Sequence, residues 1–278
     1  MIECPVPKME RSIGAASLRF VQRRGGVVLG DMAQQGSARA ILPRCDPAWP
    51  EVVFLNTSGG LTSGDRLSFG ITLDAGVNAT ATTQTAERAY LARQGPALVQ
   101  VRAEVGAKGR LNWLPQETIL FEDCYLQRQT EINLAAGASC LFAETVVLGR
   151  RAMGEVPRRA RLEDRRLLCI GGVPVWAENL RLDAESAKLA GGAAMLGANA
   201  AFAVLALVGP GAELAAAALR DIPGIPGVEI AVSGWNGRSL ARLMAPELWP
   251  LKQQLCRMIA KLTDRPLPRV WQMQGLAA

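Results

Sequence analysis

Three glycine turns at nearly equal intervals constrain this chain's fold more than any other feature. Leu73-Asp-Ala-Gly-Val-Asn-Ala-Thr80, Ala103-Glu-Val-Gly-Ala-Lys-Gly-Arg110 and Leu134-Ala-Ala-Gly-Ala-Ser-Cys-Leu141 share one pattern, with Gly76, Gly106 and Gly137 spaced 30 and 31 residues apart. A turn recurring at that interval between strands is what stacked β layers produce, each layer covering the apolar face of the last. An ordinary series of hairpins is the plainer alternative. In Val99-Gln-Val-Arg-Ala-Glu-Val105 the valines fall on one face and Gln100, Arg102 and Glu104 on the other, the signature of a half-buried strand. The expected fold is mostly β, a β-helix-like stack of layers forming a single domain over residues 1–278.

Each returning strand of the repeat ends on polar residues: Gln84 and Thr85, then Gln116, Glu117 and Thr118, then Glu144 and Thr145. If the layers stack, these residues could line one column. Buried carboxylates cost several kcal/mol unless paired, hydrated or bound to a cation. The alternative is that they sit at strand ends in water.

A glycine-rich stretch, Asn56-Thr-Ser-Gly-Gly-Leu-Thr-Ser-Gly-Asp-Arg-Leu67, follows the apolar run Glu51-Val-Val-Phe-Leu55. Gly59 to Gly64 has the spacing of a phosphate-cradling loop, but Asp65 stands where that loop needs lysine, and a carboxylate repels a triphosphate. Leu67-Ser-Phe-Gly-Ile-Thr-Leu73 then alternates as a strand, where a phosphate loop would open a helix.

Composition excludes further classes. The chain holds no histidine, which rules out histidine-based nucleophile systems and imidazole metal sites. Its six cysteines show no C-x-x-C spacing and read as small core residues of a reduced, intracellular protein. The charged N-terminus has no apolar run before a cleavage site, so a cytoplasmic location is expected. Five arginines fall in Pro157-Arg-Arg-Ala-Arg-Leu-Glu-Asp-Arg-Arg166, yet aromatics are 5% of the chain and none interleaves with this run. No nucleic acid is expected as a partner. The run reads as a solvated face or as a contact for an acidic protein. The apolar run from Ala193 to Val208 is shorter than the roughly 20 residues of a spanning helix, so it reads as one or two buried strands and no membrane is expected.

Two helices are expected in the C-terminal third: Glu213 to Arg220, and Pro246 to about Leu262, where Leu248, Leu251, Leu255, Met258 and Leu262 form one face. Between them, Val228 to Val232 and Ser239 to Met244 read as strands joined at Trp235-Asn-Gly-Arg238.

The ordered motifs resemble those of the UreD (UreH) family of urease accessory proteins. The glycine loop from Asn56 to Leu67 is similar to its hallmark loop, and Ala81-Thr-Thr-Gln-Thr-Ala86 with Tyr90 to its Thr-Thr-Gln segment. Trp113-Leu-Pro-Gln-Glu-Thr-Ile-Leu-Phe121, Gly149-Arg-Arg-Ala-Met-Gly-Glu155 and Pro268-Arg-Val-Trp271 match three more motifs in the family's order. The resemblance implies a non-catalytic metallochaperone scaffold that binds UreF and, through it, the GTPase UreG. That complex would dock on the urease apoprotein and pass nickel to its active site. No permanently bound cofactor is implied, only Ni2+ in transit through a water-filled internal channel.

The family's motifs carry over three candidate contacts on the nickel path, Asp65, Glu117 and Glu155, with Glu144 as a fourth. Carboxylates and water release a divalent ion more readily than imidazole or thiolate ligands. The bland reading makes each a structural acid, with Asp65 capping its own turn or pairing Arg66, and Glu155 pairing Arg150 or Arg151. Cys124 and Cys140 are the only soft donors near the motifs, so tight nickel storage is not expected. The exposed side of the Pro246–Leu262 helix and the arginine run at 158–166 are candidate partner contacts. The competing reading is a carbohydrate-active β-solenoid enzyme using Glu117 and Glu155 as acid and base, which the scarcity of aromatics disfavours.

Overall fold

The computed structural model describes residues 11–150, 153–183, 192, 195–263 and 265–272. Cys4, Arg151 and residues 193–194 of the apolar run lie outside the described residues. The chain begins with an antiparallel ribbon, β1 (Ile13–Arg23) and β2 (Gly26–Gly36), followed by β3 (Ala38–Ile41) and β4 (Glu51–Asn56). It then winds through β5 (Arg66–Leu73), β6 (Asn78–Thr83), β7 (Glu87–Ala89), β8 (Ala97–Val105), β9 (Arg110–Leu114), β10 (Thr118–Leu120), β11 (Tyr125–Leu134), β12 (Ser139–Leu148) and β13 (Arg161–Ile170). The last third adds β14 (Val173–Leu182), β15 (Ala201–Val208), α1 (Ala215–Arg220), β16 (Glu229–Trp235), β17 (Arg238–Ala245), α2 (Leu248–Leu262) and α3 (Arg269–Gln272).

The expected stack of layers is present. Strands β5, β8, β11 and β13 pair in parallel within one sheet, and β4, β6, β9 and β12 pair in parallel within a second. The first sheet runs β14-β13-β11-β8-β5-β1-β2 and the second β16-β17-β15-β12-β9-β6-β4-β3. Alternate residues of both sheets meet in the core, among them Phe69, Ile71, Leu126 and Ile132 from the first and Phe54, Leu111 and Phe142 from the second. A second core lies on the outer face of the second sheet, where Leu141, Ala143 and Leu205 receive Leu251, Leu255, Met258 and Ile259 of α2. The leucine stripe read from the sequence is therefore core packing at its centre.

The tight turns of each coil stack at one edge, but the second departs from the spacing of its glycines. The left-handed positions are Gly76, Lys108 and Gly137, at φ 73°, 58° and 72°. Gly106 is needed for a different reason: a Cβ there would lie 2.5 Å from the Ala75 amide nitrogen. The turns are tied coil to coil by Gly76 N–H to the Ala107 carbonyl and Gly106 N–H to the Leu73 carbonyl, both 2.8 Å.

The C-terminal elements fall close to expectation. Asn236 and Gly237 both take positive φ, 41° and 74°, as the β16–β17 hairpin requires. The first expected helix opens as a 3₁₀ turn, Ala212–Leu214, before α1. The second begins at Leu248 instead of Pro246, because Glu247 is still extended at φ −130°. The single-turn α3 adds a third helix that periodicity could not reveal. The apolar run resolves into one strand, β15, preceded by a turn.

Candidate functional site

Four of the five motifs stack at the edge opposite the tight turns. The glycine loop, the segment after β6, the segment after β9 and the segment after β12 lie there as successive rungs. Backbone bonds join them in order: Leu61 N–H to the Arg88 carbonyl at 2.7 Å, Phe121 N–H to the Ala89 carbonyl at 3.1 Å, and Gly149 N–H to the Leu120 carbonyl at 2.8 Å. Side chains continue the ladder. Tyr90 stacks on Phe121 with ring centroids 4.9 Å apart, and the Arg150 guanidinium lies 4.8 Å from the Phe121 ring centre.

Asp65 closes the glycine loop from within. It is buried, and its two oxygens accept from Ser12 N–H and Thr62 N–H, each at 2.8 Å. One carboxylate thus caps its own turn and ties it to the start of β1, while Arg66 is exposed. Glu155 accepts from Arg150 Nε at 2.7 Å and from the Glu122 amide at 3.2 Å. Burial alone would raise its pKa, but these hydrogen bonds, Arg150 first, hold it below the ordinary carboxylate value.

The fifth motif folds back onto the second sheet. Trp271 is buried, and its indole N–H lies 3.1 Å from both Thr82 Oγ1 and the Leu114 carbonyl. Beside it, the buried Lys252 of α2 donates to Gln116 Oε1 at 2.6 Å and Glu117 Oε2 at 3.0 Å, with Nζ 5.4 Å from the Trp271 ring centre. Gln116 in turn donates to the Val270 carbonyl at 3.1 Å. Glu117 is therefore held in a junction of three motifs on the helix side of the second sheet.

Glu144 faces the other way, into the space between the sheets, where it joins a cluster that sequence reasoning missed. Arg166 touches three carboxylates: Glu144 at 2.8 Å, Asp164 at 2.5 Å and Glu178 at 2.9 Å. Arg128 makes two more bridges, to Asp164 at 2.6 Å and Glu144 at 2.9 Å, and donates to Thr118 Oγ1 at 3.1 Å. Arg242 reaches Glu178 at 2.6 Å from the solvent side. For Asp164, burial pushes the pKa up, but attraction and hydrogen bonds from Arg128, then Arg166, outweigh it and leave the carboxyl below its ordinary value. A cleft of about 530 Å³ opens onto this cluster, lined by Glu144, Arg166, Glu178 and Arg242 together with Leu180, Phe202 and Ile230.

The structure thus does not bring the polar residues that end the returning strands into one column. Gln84 and Thr85 are exposed, Gln116 and Glu117 turn toward α2, and Thr118 and Glu144 meet Arg128 between the sheets. Within the arginine run, Arg166 is buried and unavailable as a surface contact, and Arg159 is paired with Glu122 and Asp123. No group of three or more Cys, Asp or Glu with metal-holding geometry occurs among the described residues. Cys124, Cys140, Cys169 and Cys256 are buried and Cys45 is exposed. Burial pushes the thiols of Cys124 and Cys140 up to about 11 and about 12, so both stay protonated at neutral pH and are poor soft donors. No described helix is long and apolar enough to cross a membrane.

One further acid belongs to the motif edge. Glu87, half-buried beneath the glycine loop, accepts from the Arg88 amide at 3.1 Å and more weakly from Asn56 Nδ2 at 3.4 Å. Burial, only partly opposed by these bonds and the Arg88 charge and reinforced by Asp65, raises its pKa to about 7. A raised carboxylate binds its proton more tightly when folded, so ionisation costs stability as pH rises from about 4.3 to about 7. Glu87→Gln is therefore expected to stabilise the protein by on the order of 1–2 kcal/mol at pH 8 and to change little at pH 5. Thermal unfolding at both pH values checks this, and equal shifts would contradict it.

A family model described as the UreD urease accessory protein matches residues 12–272. Similar proteins include the "Urease accessory protein UreD" of Cereibacter sphaeroides (strain ATCC 17025 / ATH 2.4.3), 54% identical over 95% of this chain and 96% of that one. The protein of the same name from Paracoccus denitrificans (strain Pd 1222) is 46% identical over 96% and 94%. That of Jannaschia sp. (strain CCS1) is 40% identical over 98% and 100%.

Proposed function

Because this chain belongs to the UreD family of urease accessory proteins, we propose that it serves urease maturation as a scaffold without turnover of its own. It joins UreF, and through it the GTPase UreG, to the urease apoprotein, and nickel is the cargo. The observation that carries this reading is the family match over nearly the whole chain.

The internal route is a second part of the proposal. The cleft that reaches the buried Glu144 supports a polar path between the sheets, where a hydrated cation meets carboxylates paired with arginines instead of an unbroken apolar core. Asp65 at the motif edge, Glu117 on the helix side of the second sheet and Glu155, again at the motif edge, act as transient contacts outside that cleft. Each must exchange a present partner for the ion: the Ser12 and Thr62 amides, Lys252, and Arg150 respectively. Oxygen donors that are already satisfied give weak, quickly reversed binding, as passage requires.

The test is the nickel content of urease purified after co-expression with Asp65→Asn, Glu117→Gln, Glu144→Gln or Glu155→Gln, beside the thermal unfolding of each variant. A several-fold loss of nickel per active site is expected in a variant whose Tm stays within a few degrees. Full loading with all four variants would sink the path. Co-purification with UreF tests the scaffold separately, and failure to form that complex would sink the scaffold whatever the nickel result.

A further inference from the structure

We propose that β2 is a docking edge for an extended strand supplied by another protein. The two sheets have four outer edges along their paths, and three are blunted. β14 carries Pro174, which removes a backbone donor from its edge. β16 is seven residues long, packs against the 3₁₀ turn and α1, and has its Val232 carbonyl occupied by Arg220 at 3.1 Å. β3 is only four residues long. β2 has eleven residues, Gly-Val-Val-Leu-Gly-Asp-Met-Ala-Gln-Gln-Gly, no proline, Asp31 as its single charge, exposure over nine of its positions, and one bulge, at Gly30, where its register with β1 shifts. Among the described residues no strand pairs with this edge, and a long edge of that kind presents a row of backbone donors and acceptors that another extended backbone fills.

The surroundings define that strand's chemistry. Leu29 and Met32 pair in register with the buried Phe20 and Leu18 of β1, so they lie on the face that continues the core. They are nevertheless exposed by 37% and 42%, because β2 overhangs the short β3. Val28 and, on β3, Ile41 are exposed as well. An arriving strand with apolar residues at alternate positions would pair with β2 and cover Leu29 and Met32 at once. At the β1–β2 turn, Arg23 and Arg24 are exposed and form no ion pair among the described residues. They favour acidic residues at the end of the arriving strand that falls beside them, its C-terminal end in antiparallel pairing.

The experiment uses the full chain and two synthetic peptides, Thr-Val-Thr-Val-Thr-Val-Glu-Glu and the same sequence ending in Lys-Lys. Hydrogen exchange at the amides of residues 27–35 is expected to slow at least tenfold with the acidic peptide, with apparent affinity at least fivefold weaker for the basic one. The double variant Leu29→Glu/Met32→Glu changes only exposed side chains and should abolish protection while leaving the rest of the exchange map unchanged. No protection of β2, or equal protection by both peptides, overturns the proposal. Protection without peptide, accompanied by a dimer mass, also overturns it, since the occupant is then a second copy of the chain.

Discussion

Replacing Arg166 with alanine is expected to destabilise the protein by about 3–5 kcal/mol, more than any surface change, and to lower Tm by roughly 10 °C. The reason is the number of carboxylates it serves. Glu144 and Asp164 are almost wholly buried and Glu178 largely so, and removing the guanidinium leaves three acids sharing Arg128 and the peripheral Arg242. Whether the intact cluster stabilises the fold more than an apolar core would is a separate matter, because desolvation offsets much of the attraction. Breaking one member is not offset. Arg166→Ala combined with Glu144→Gln should therefore cost less than the sum of the single changes, and a double-mutant cycle on urea unfolding measures the difference. Strict additivity would show that the two side chains act independently.

The same cluster sets an acid limit. Asp164 has its carboxyl held below the ordinary value, so its contribution is fully present above about pH 3.9, the unfolded value, and is lost as pH falls through the lower folded value. Asp164→Asn should therefore flatten the pH dependence of stability below about pH 4, besides lowering stability at neutral pH.

The second large effect concerns Trp271. Truncation to alanine removes a buried indole from the junction of the helix, Thr82 and Leu114, and is expected to cost about 3–5 kcal/mol. Trp271→Phe keeps a ring for Lys252 to face but loses the N–H, while the Thr82 hydroxyl still donates to the Leu114 carbonyl at 2.6 Å, and should cost only about 1 kcal/mol. Chemical unfolding of the two variants separates packing from hydrogen bonding. Similar losses for both would show that the N–H governs.

Much of the architecture was legible because β patterns repeat in the residues themselves. The alternation in Val99–Val105 and Leu67–Leu73 reports faces directly, and Asn236-Gly237 announces its hairpin. The exact register of the coils was not, since Gly106 shares the spacing of Gly76 and Gly137 while serving close backbone approach, and Lys108 takes the left-handed position. Lysine there breaks the sequence repeat without breaking the structural one.

The ion cluster has a signal in the alternation of two strands. On β13, Leu162, Asp164, Arg166 and Leu168 share one face, and on β11 Leu126, Arg128, Thr130 and Ile132 do the same. Charges in phase with flanking leucines point inward and must find partners there. The arginine-rich composition of residues 157–166 drew attention to the surface, although parity divides that segment between Arg161 and Arg165 outside and Arg166 inside. The Lys252–Glu117 pair, 135 residues apart in the chain, had no local signature at all.

The Trp271–Thr82 bond also sets an order of events during synthesis. Its partners are 189 residues apart, and Thr82 lies in one of the first coils while Trp271 comes in the last described turn of helix. Coils pairing in parallel form from segments already distant along the chain, a slow class of contact. A nascent chain emerging from the ribosome therefore exposes its α2-facing sheet surface, with Leu114, Leu141 and Leu205, until residues 248–272 have been made. During that interval the sheet face is open to association with other chains, and the interval closes when α2 and Trp271 pack onto it.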